Sequence, residues 1–213
     1  MDPKTILKVA EKRQLDAIAI TDHNTIRGGV ITHKTCRKNS IIVVIGSEIS
    51  TNLGDIIGLF LNEEIKSRNV HEVIDKIKAQ DGLVLIPHPF KTKILQTIGL
   101  IDNVDLIEGY NSRHPPTAEQ VNILKGMNKP LVAGSDAHFP KEIGLSRTVT
   151  YYELDGEEDV RKALLQEKIE IQGSPSPFYL EPLSQIVKGL KHKDLKLIGW
   201  SVLNLIKSGI VKK

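Results

Sequence analysis

Leu131-Val-Ala-Gly-Ser-Asp136-Ala-His138 is a short apolar run ending in two side chains that can ligate a metal, and three other stretches repeat the arrangement. They are Ala17-Ile-Ala-Ile-Thr-Asp22-His23-Asn24, Val43-Val-Ile-Gly-Ser-Glu48 and Leu83-Val-Leu-Ile-Pro-His88-Pro89. A β-rich apolar run bounded by Gly, Pro or Asp reads as a buried parallel strand. Such strands present their chemistry at the carboxyl end, where neighbouring loops converge on one opening. Imidazoles and carboxylates brought there from distant places in sequence are what a divalent-metal site requires. One marked strand end would mean little, and the signal is their recurrence.

The segments between these runs supply helices. Asp2 caps a helix over 3–13, Pro3 suits its first turn, and Ile6, Leu7 and Ala10 form its apolar stripe. A helix over 25–38 is weakened by Gly28-Gly29, whereas Val70, Val73, Ile74 and Ile77 predict one over 70–80 that stops at Asp81-Gly82. Strands are expected at 15–21, 41–46 and 55–61, the last two joined by a turn around Asn52-Leu-Gly54, and then at 83–87, 104–108 and 130–135. A short helix near 92–99, a helix at 117–126, a strand at 146–152, a helix at 157–167 and a strand at 169–172 complete the pattern. This mostly strict β–α alternation makes the class parallel α/β. Site residues at successive strand ends favour a closed or nearly closed barrel over an open sheet.

Ser174-Pro-Ser-Pro177 reads as a linker, dividing the chain into a barrel of residues 1–175 and a helical extension of residues 176–213. In the extension Leu195, Ile198, Val202, Leu205 and Ile206 recur at helical spacing beside Trp200. That pattern suits an amphipathic helix packed on the barrel; a basic amphipathic helix can instead lie on an anionic membrane or meet a partner. The chain of 213 residues carries a net charge of +3, unevenly spread. Residues 181–213 hold seven Lys and two acids, a net +5, so the remaining 22 basic and 24 acidic residues give −2. The body therefore has no nucleic-acid footprint, and an aromatic content of 4% speaks against an extended strand-binding surface. The single cysteine, Cys36, rules out a disulfide framework and a thiolate metal cage. With no transmembrane-length apolar run and no signal-peptide stretch at the start, a cytoplasmic location is expected.

Asp136-x-His138 places two ligands on the same side of an extended segment. Ala-Gly-Ser-Asp-Ala-His, together with Ile-Thr-Asp-His-Asn at 20–24, Gly-Ser-Glu at 46–48 and Pro-His-Pro at 87–89, closely resembles the PHP (polymerase and histidinol phosphatase) superfamily over about residues 1–175. The resemblance implies a distorted (β/α)7 TIM-like barrel holding two or three divalent ions (Zn, Mn or Fe) and a phosphoesterase activity. Carried over by position, it makes His23, Glu48, His88, Asp136 and His138 metal ligands, with Glu48 bridging. Asp55 stands where many relatives have His and is kept as a ligand candidate. Asp22, and His138 among the site histidines, would move protons, while Asn111 is placed among substrate-facing residues. Arg113 and His114, in the loop after strand 104–108, are candidates to hold an anionic substrate.

The family opens with a strand carrying His-x-His, but Met1-Asp-Pro-Lys stands in the helix that follows it. The expectation is a barrel without its first strand, with Met1 internal to a longer protein; a truncated or decayed gene is the alternative. The leading functional expectation is hydrolysis of a small phosphomonoester by a metal-activated hydroxide. The alternatives are a non-catalytic, vestigial barrel acting as a binding module, and a metal-dependent nuclease. Metal identity, substrate and oligomeric state are not legible in the residues.

Overall fold

Six strands lie side by side in sequence order in one curled sheet, and a separate two-stranded antiparallel sheet follows them. The computed structural model describes residues 1–36, 41–97, 99–166 and 169–211. In chain order the elements are α1 (Pro3–Lys12), β1 (Ala17–Ile20), α2 (Arg27–Thr35), β2 (Ile42–Thr51), β3 (Gly54–Leu59), α3 (Val70–Lys78), β4 (Leu83–Ile86) and β5 (Leu106–Asn111). Then come α4 (Ala118–Lys125), β6 (Leu131–Gly134), β7 (Ser146–Thr150), α5 (Glu157–Leu164), β8 (Ile169–Gly173), α6 (Leu180–His192) and α7 (Leu195–Val211). Three short 3₁₀ turns replace the helix expected near 92–99 and fill the rest of the β4–β5 connection. The expected helical positions 37–38, 98 and 167 lie outside the described residues.

The helices start where local chemistry predicts. Asp2 accepts the Thr5 N–H at 3.0 Å, and Asn69 accepts those of His71 and Glu72 at the head of α3. Thr117 and Gln120 form a reciprocal capping box on α4. In β4 the residues alternate between two buried layers. Val84 and Ile86 join Ile49, Ile56 and Ile107 against Val73 and Ile77 of α3. Leu83 and Leu85 join Val44, Leu59, Leu106 and Val132 in a second layer that α5 closes with Val160. Burial on both faces is why this strand reads as one unbroken apolar run.

Two topological expectations need correction. First, β3 is antiparallel to both β2 and β4. Only Asn52 and Leu53 separate it from β2, far short of the crossover that a parallel strand needs. Gly54 makes the turn at φ +130°, and a Cβ there would lie 2.6 Å from Cβ of Thr92. Second, the described strands do not close into a barrel. β1 pairs with β2 alone, and β7 pairs antiparallel with β8 in a separate two-stranded sheet that meets β6 through the Ala133 N–H donated to Thr148 Oγ1 at 2.9 Å. The outcome is a mixed α/β fold with a curled half-barrel sheet whose concave face bounds a cavity of about 1440 Å³.

The expected linker is fastened to the body: the Ser174 N–H donates to Leu145 O and the Ser176 N–H to Ser112 O. α6 then turns through Lys193 (φ 57°) into α7, which packs chiefly on α6 instead of on the barrel.

Candidate metal centre

Glu48 stands near the end of β2, in the stretch that has left β1 and pairs with β3. The loop after β1 stays beside it: the Asn24 N–H donates to Glu48 O at 2.8 Å, and His23 forms an isolated parallel bridge with Glu48. The two carboxylate oxygens of Glu48 consequently face different imidazoles. Oε2 lies 3.6 Å from Nδ1 of His23, and Oε1 lies 3.0 Å from Nε2 of His88. Asp55, on the antiparallel strand β3, brings Oδ2 to 4.0 Å from the same His88 nitrogen. One ligand atom each from Glu48, Asp55 and His88 lies within 4.8 Å of the others.

His88 is held in an uncommon backbone state, φ 30° and ψ 61°. Its N–H donates to Oε2 of Glu108 at 2.5 Å, and the same oxygen accepts from Nδ2 of Asn111 at 3.0 Å. Asp136 (φ 48°) and Asn24 (φ 59°) also have left-handed backbones. Such residues are costly and gather where a site needs a particular geometry. The His138 Nδ1–H donates to the Asp136 carbonyl oxygen at 3.0 Å, which leaves Nε2 with its lone pair for a ligand.

The electrostatics suit a cation. Burial pushes Glu108 up to about 7, against hydrogen bonds from the His88 N–H and Asn111 that act the other way. Burial would lower His88, but the hydrogen bond and charge of Glu48, then the charges of Glu108 and Asp136, raise it overall. Carboxylates thus crowd a half-buried imidazole whose buried Nδ1 has no hydrogen-bond partner among the described residues. Mixed imidazole and carboxylate donors at these separations fit a divalent ion.

Of the residues singled out from sequence, Asp22, His23, Glu48, His88, Asn111, Asp136 and His138 line the large cavity. Asp22 does not cap α2. Thr25 Oγ1 accepts the Arg27 N–H at the head of that helix, and Glu64 accepts from Thr25 Oγ1 and the Ile26 N–H. The Asp22 carboxylate instead occupies the space that Gly28 leaves open, since a Cβ there would lie 1.7 Å from Oδ2. The glycine that weakens the helix on paper makes room for a site carboxylate.

The substrate-facing expectations fare differently. Arg113 is turned away from the opening. Its Nε and Nη2 donate to the two oxygens of Glu142 at 2.9 Å each, Nη1 donates to Ser184 Oγ, and the two charged side chains are 3% and 0% exposed. Asn111 is 3% exposed, and its amide oxygen accepts the N–H groups of Arg113 and His114. Its polar atoms serve the turn and Glu108, not the open cavity. His114 lines a smaller cavity of about 260 Å³ behind His88, with its Nε2 2.5 Å from Nζ of Lys91. Burial and the Lys91 charge lower the His114 pKa.

Glu108 and Glu142 were missed in the sequence. Glu108 sits two positions after Leu106, on the concave face of β5, so its period-2 placement was the available signal. Glu142 also accepts the N–H groups of His138 and Phe139 and the Ser176 hydroxyl. Burial alone would raise its pKa, but the Arg113 and Ser176 hydrogen bonds, the His138 N–H and the guanidinium charge hold it below the ordinary carboxylate range.

Known proteins share parts of this chain. The PHP-associated family matches residues 121–169, from α4 to the start of β8. An uncharacterised protein of Methanocaldococcus jannaschii is 50% identical over 117 residues, which is 53% of this chain and 68% of that protein. In structure, the chain is similar to PsfC from Pseudomonas syringae, with TM-score 0.62, 16% identity and coverage of 86% of this chain and 87% of the other. It is also similar to a protein from Bifidobacterium adolescentis described as a proposed metal-dependent phosphoesterase, with TM-score 0.56, 15% identity and coverage of 76% and 90%.

Proposed function

The chain belongs to the PHP superfamily, and from that premise we propose that it is a metal-dependent phosphoesterase acting on a small phosphomonoester. The observation that carries this reading is the placement of Glu48, with one carboxylate oxygen toward His23 and the other toward His88. In this reading Glu48, His23, His88 and Asp55 would hold the divalent ions, and Asp136 and His138 would offer further ligands from the end of β6. Divalent ions, when bound, neutralise phosphoryl oxygens and make a hydroxide available at neutral pH.

The remaining work falls to the protein's own groups. Glu108 fixes the His88 backbone, so that the imidazole meets Glu48 without searching rotamers. The Asp136 carbonyl holds the His138 tautomer. Asp22, at the cavity wall with its carboxylate free of the helix terminus, is assigned the proton that the leaving alcohol needs. Residues 1–175 form the catalytic unit, and residues 176–213 are an appendage to it.

The test is hydrolysis of an aryl phosphate in the presence of Mn²⁺ or Zn²⁺, with metal content measured on the same samples. Glu48→Gln, His88→Ala and Asp136→Ala should each lose turnover by about 100-fold or more, with bound metal falling in parallel. Activity unchanged by all three variants would reject the assignment.

A further inference from the structure

The C-terminal hairpin leaves an apolar face uncovered, and the charge around that face limits what can cover it. On the inner side of α7, Ser201 is buried and Ile198 and Leu205 are half-buried. Gly189 of α6 permits the close approach, since a Cβ there would lie 2.6 Å from Ile198 Cγ1. On the outer side, Leu195, Trp200, Leu203 and Ile206 are 80%, 62%, 57% and 53% exposed. At 3.6 residues per turn, Leu195, Leu203 and Ile206 share an arc of about 80°, with exposed Lys196 and Lys207 on its flank and Trp200 just beyond. On α6, Val187 and Leu190 are also exposed, next in sequence to exposed Lys188 and Lys191.

We propose that this hairpin docks the protein on an anionic lipid surface. α7 would lie in the plane of the interface, its apolar row in the acyl boundary and its lysines among the headgroups. Exposed Lys196 and Lys207 run along the apolar row, so the described face is both apolar and cationic. A second copy would set this face against itself in a two-fold contact and bring like charges together. An apolar protein groove would cover the leucines and leave the lysines unanswered. A membrane of anionic lipid satisfies both features, and Trp200 beside the lysines is a residue type favoured at headgroup depth. No helix among the described residues is long and apolar enough to cross a membrane, so the proposed mode is surface attachment.

Trp200 is the one tryptophan, so its fluorescence reports on this face directly. The full chain is mixed with vesicles of phosphatidylglycerol and phosphatidylcholine, or of phosphatidylcholine alone. Expected are a blue shift and co-sedimentation with the anionic vesicles, at least tenfold weaker on the neutral ones and declining as salt rises. Lys196→Gln with Lys207→Gln should reduce partitioning about 25-fold, at about fivefold per charge. Leu203→Asp with Ile206→Asp should abolish binding while far-UV circular dichroism stays unchanged. Equal binding to both vesicle types, or none to the anionic ones, overturns the proposal. So does a vesicle-independent blue shift that tracks protein concentration with a doubled mass in light scattering, which would place a second copy on the face.

Discussion

Removing Glu142 should be among the most damaging single changes available in this protein, although no sequence motif marks it. Glu142→Ala withdraws both acceptors from the Arg113 guanidinium and the acceptor of the Ser176 hydroxyl and of the His138 and Phe139 N–H groups. The Arg113 side chain is 3% exposed and, among the described residues, keeps only Ser184 Oγ as a side-chain partner. A buried charge stripped of its partner costs about 3–5 kcal/mol. For a chain of this size, 1 kcal/mol corresponds to about 2–4 °C, so the midpoint should fall by about 6–20 °C. Thermal and urea unfolding followed by circular dichroism at pH 7 give the number.

The double variant Arg113→Met with Glu142→Leu should cost much less than the two single truncations together, because it removes both buried charges at once. The pH dependence has a definite sign. The Glu142 pKa is depressed in the folded state, so its contribution is complete above the ordinary carboxylate value of 4.5 and is lost as pH falls toward the folded value. Glu142→Ala should accordingly flatten the acid limb of the stability profile. A single variant costing under about 1 kcal/mol, or a double variant as costly as the sum, would refute the reasoning.

Two more outcomes follow from the site. Gly28→Ala improves local helix propensity by about 1 kcal/mol but puts a Cβ 1.7 Å from Asp22 Oδ2, so stability should hold or rise while turnover drops; undiminished activity would remove Asp22 from its assigned role. In metal-free protein, Glu108 keeps its proton to about pH 7, whereas the unfolded chain releases it near 4.5, so stability should decline as pH rises across that window. Glu108→Gln should erase that decline in urea midpoints, and an identical slope in both proteins would show that another group is responsible.

The strand ends were legible because their signal is local. Each candidate site residue follows an apolar run within a few residues, and burial on both faces writes that run into the sequence. Asp22, His23, Glu48, His88, Asp136 and His138 meet along one cavity on this basis. The helix cap at Asp2 was legible for the same reason, since donor and acceptor are three residues apart.

What the residues in order could not decide is where partners distant in sequence spend their hydrogen bonds. Arg113 looks like an anion-binding residue in a loop, yet Glu142, 29 positions away, claims its guanidinium, and Ser184 of the C-terminal hairpin takes what remains. Asn111 looks substrate-facing, but the turn that follows it uses its amide. The open edge of the described sheet was also a tertiary outcome, set by ladder pairing, whereas the antiparallel course of β3 was already implied by the two-residue turn at Asn52-Leu53. A run of apolar residues specifies that a segment is buried, whereas the direction of its neighbour and the owner of each buried charge depend on which surfaces the folded chain brings into contact.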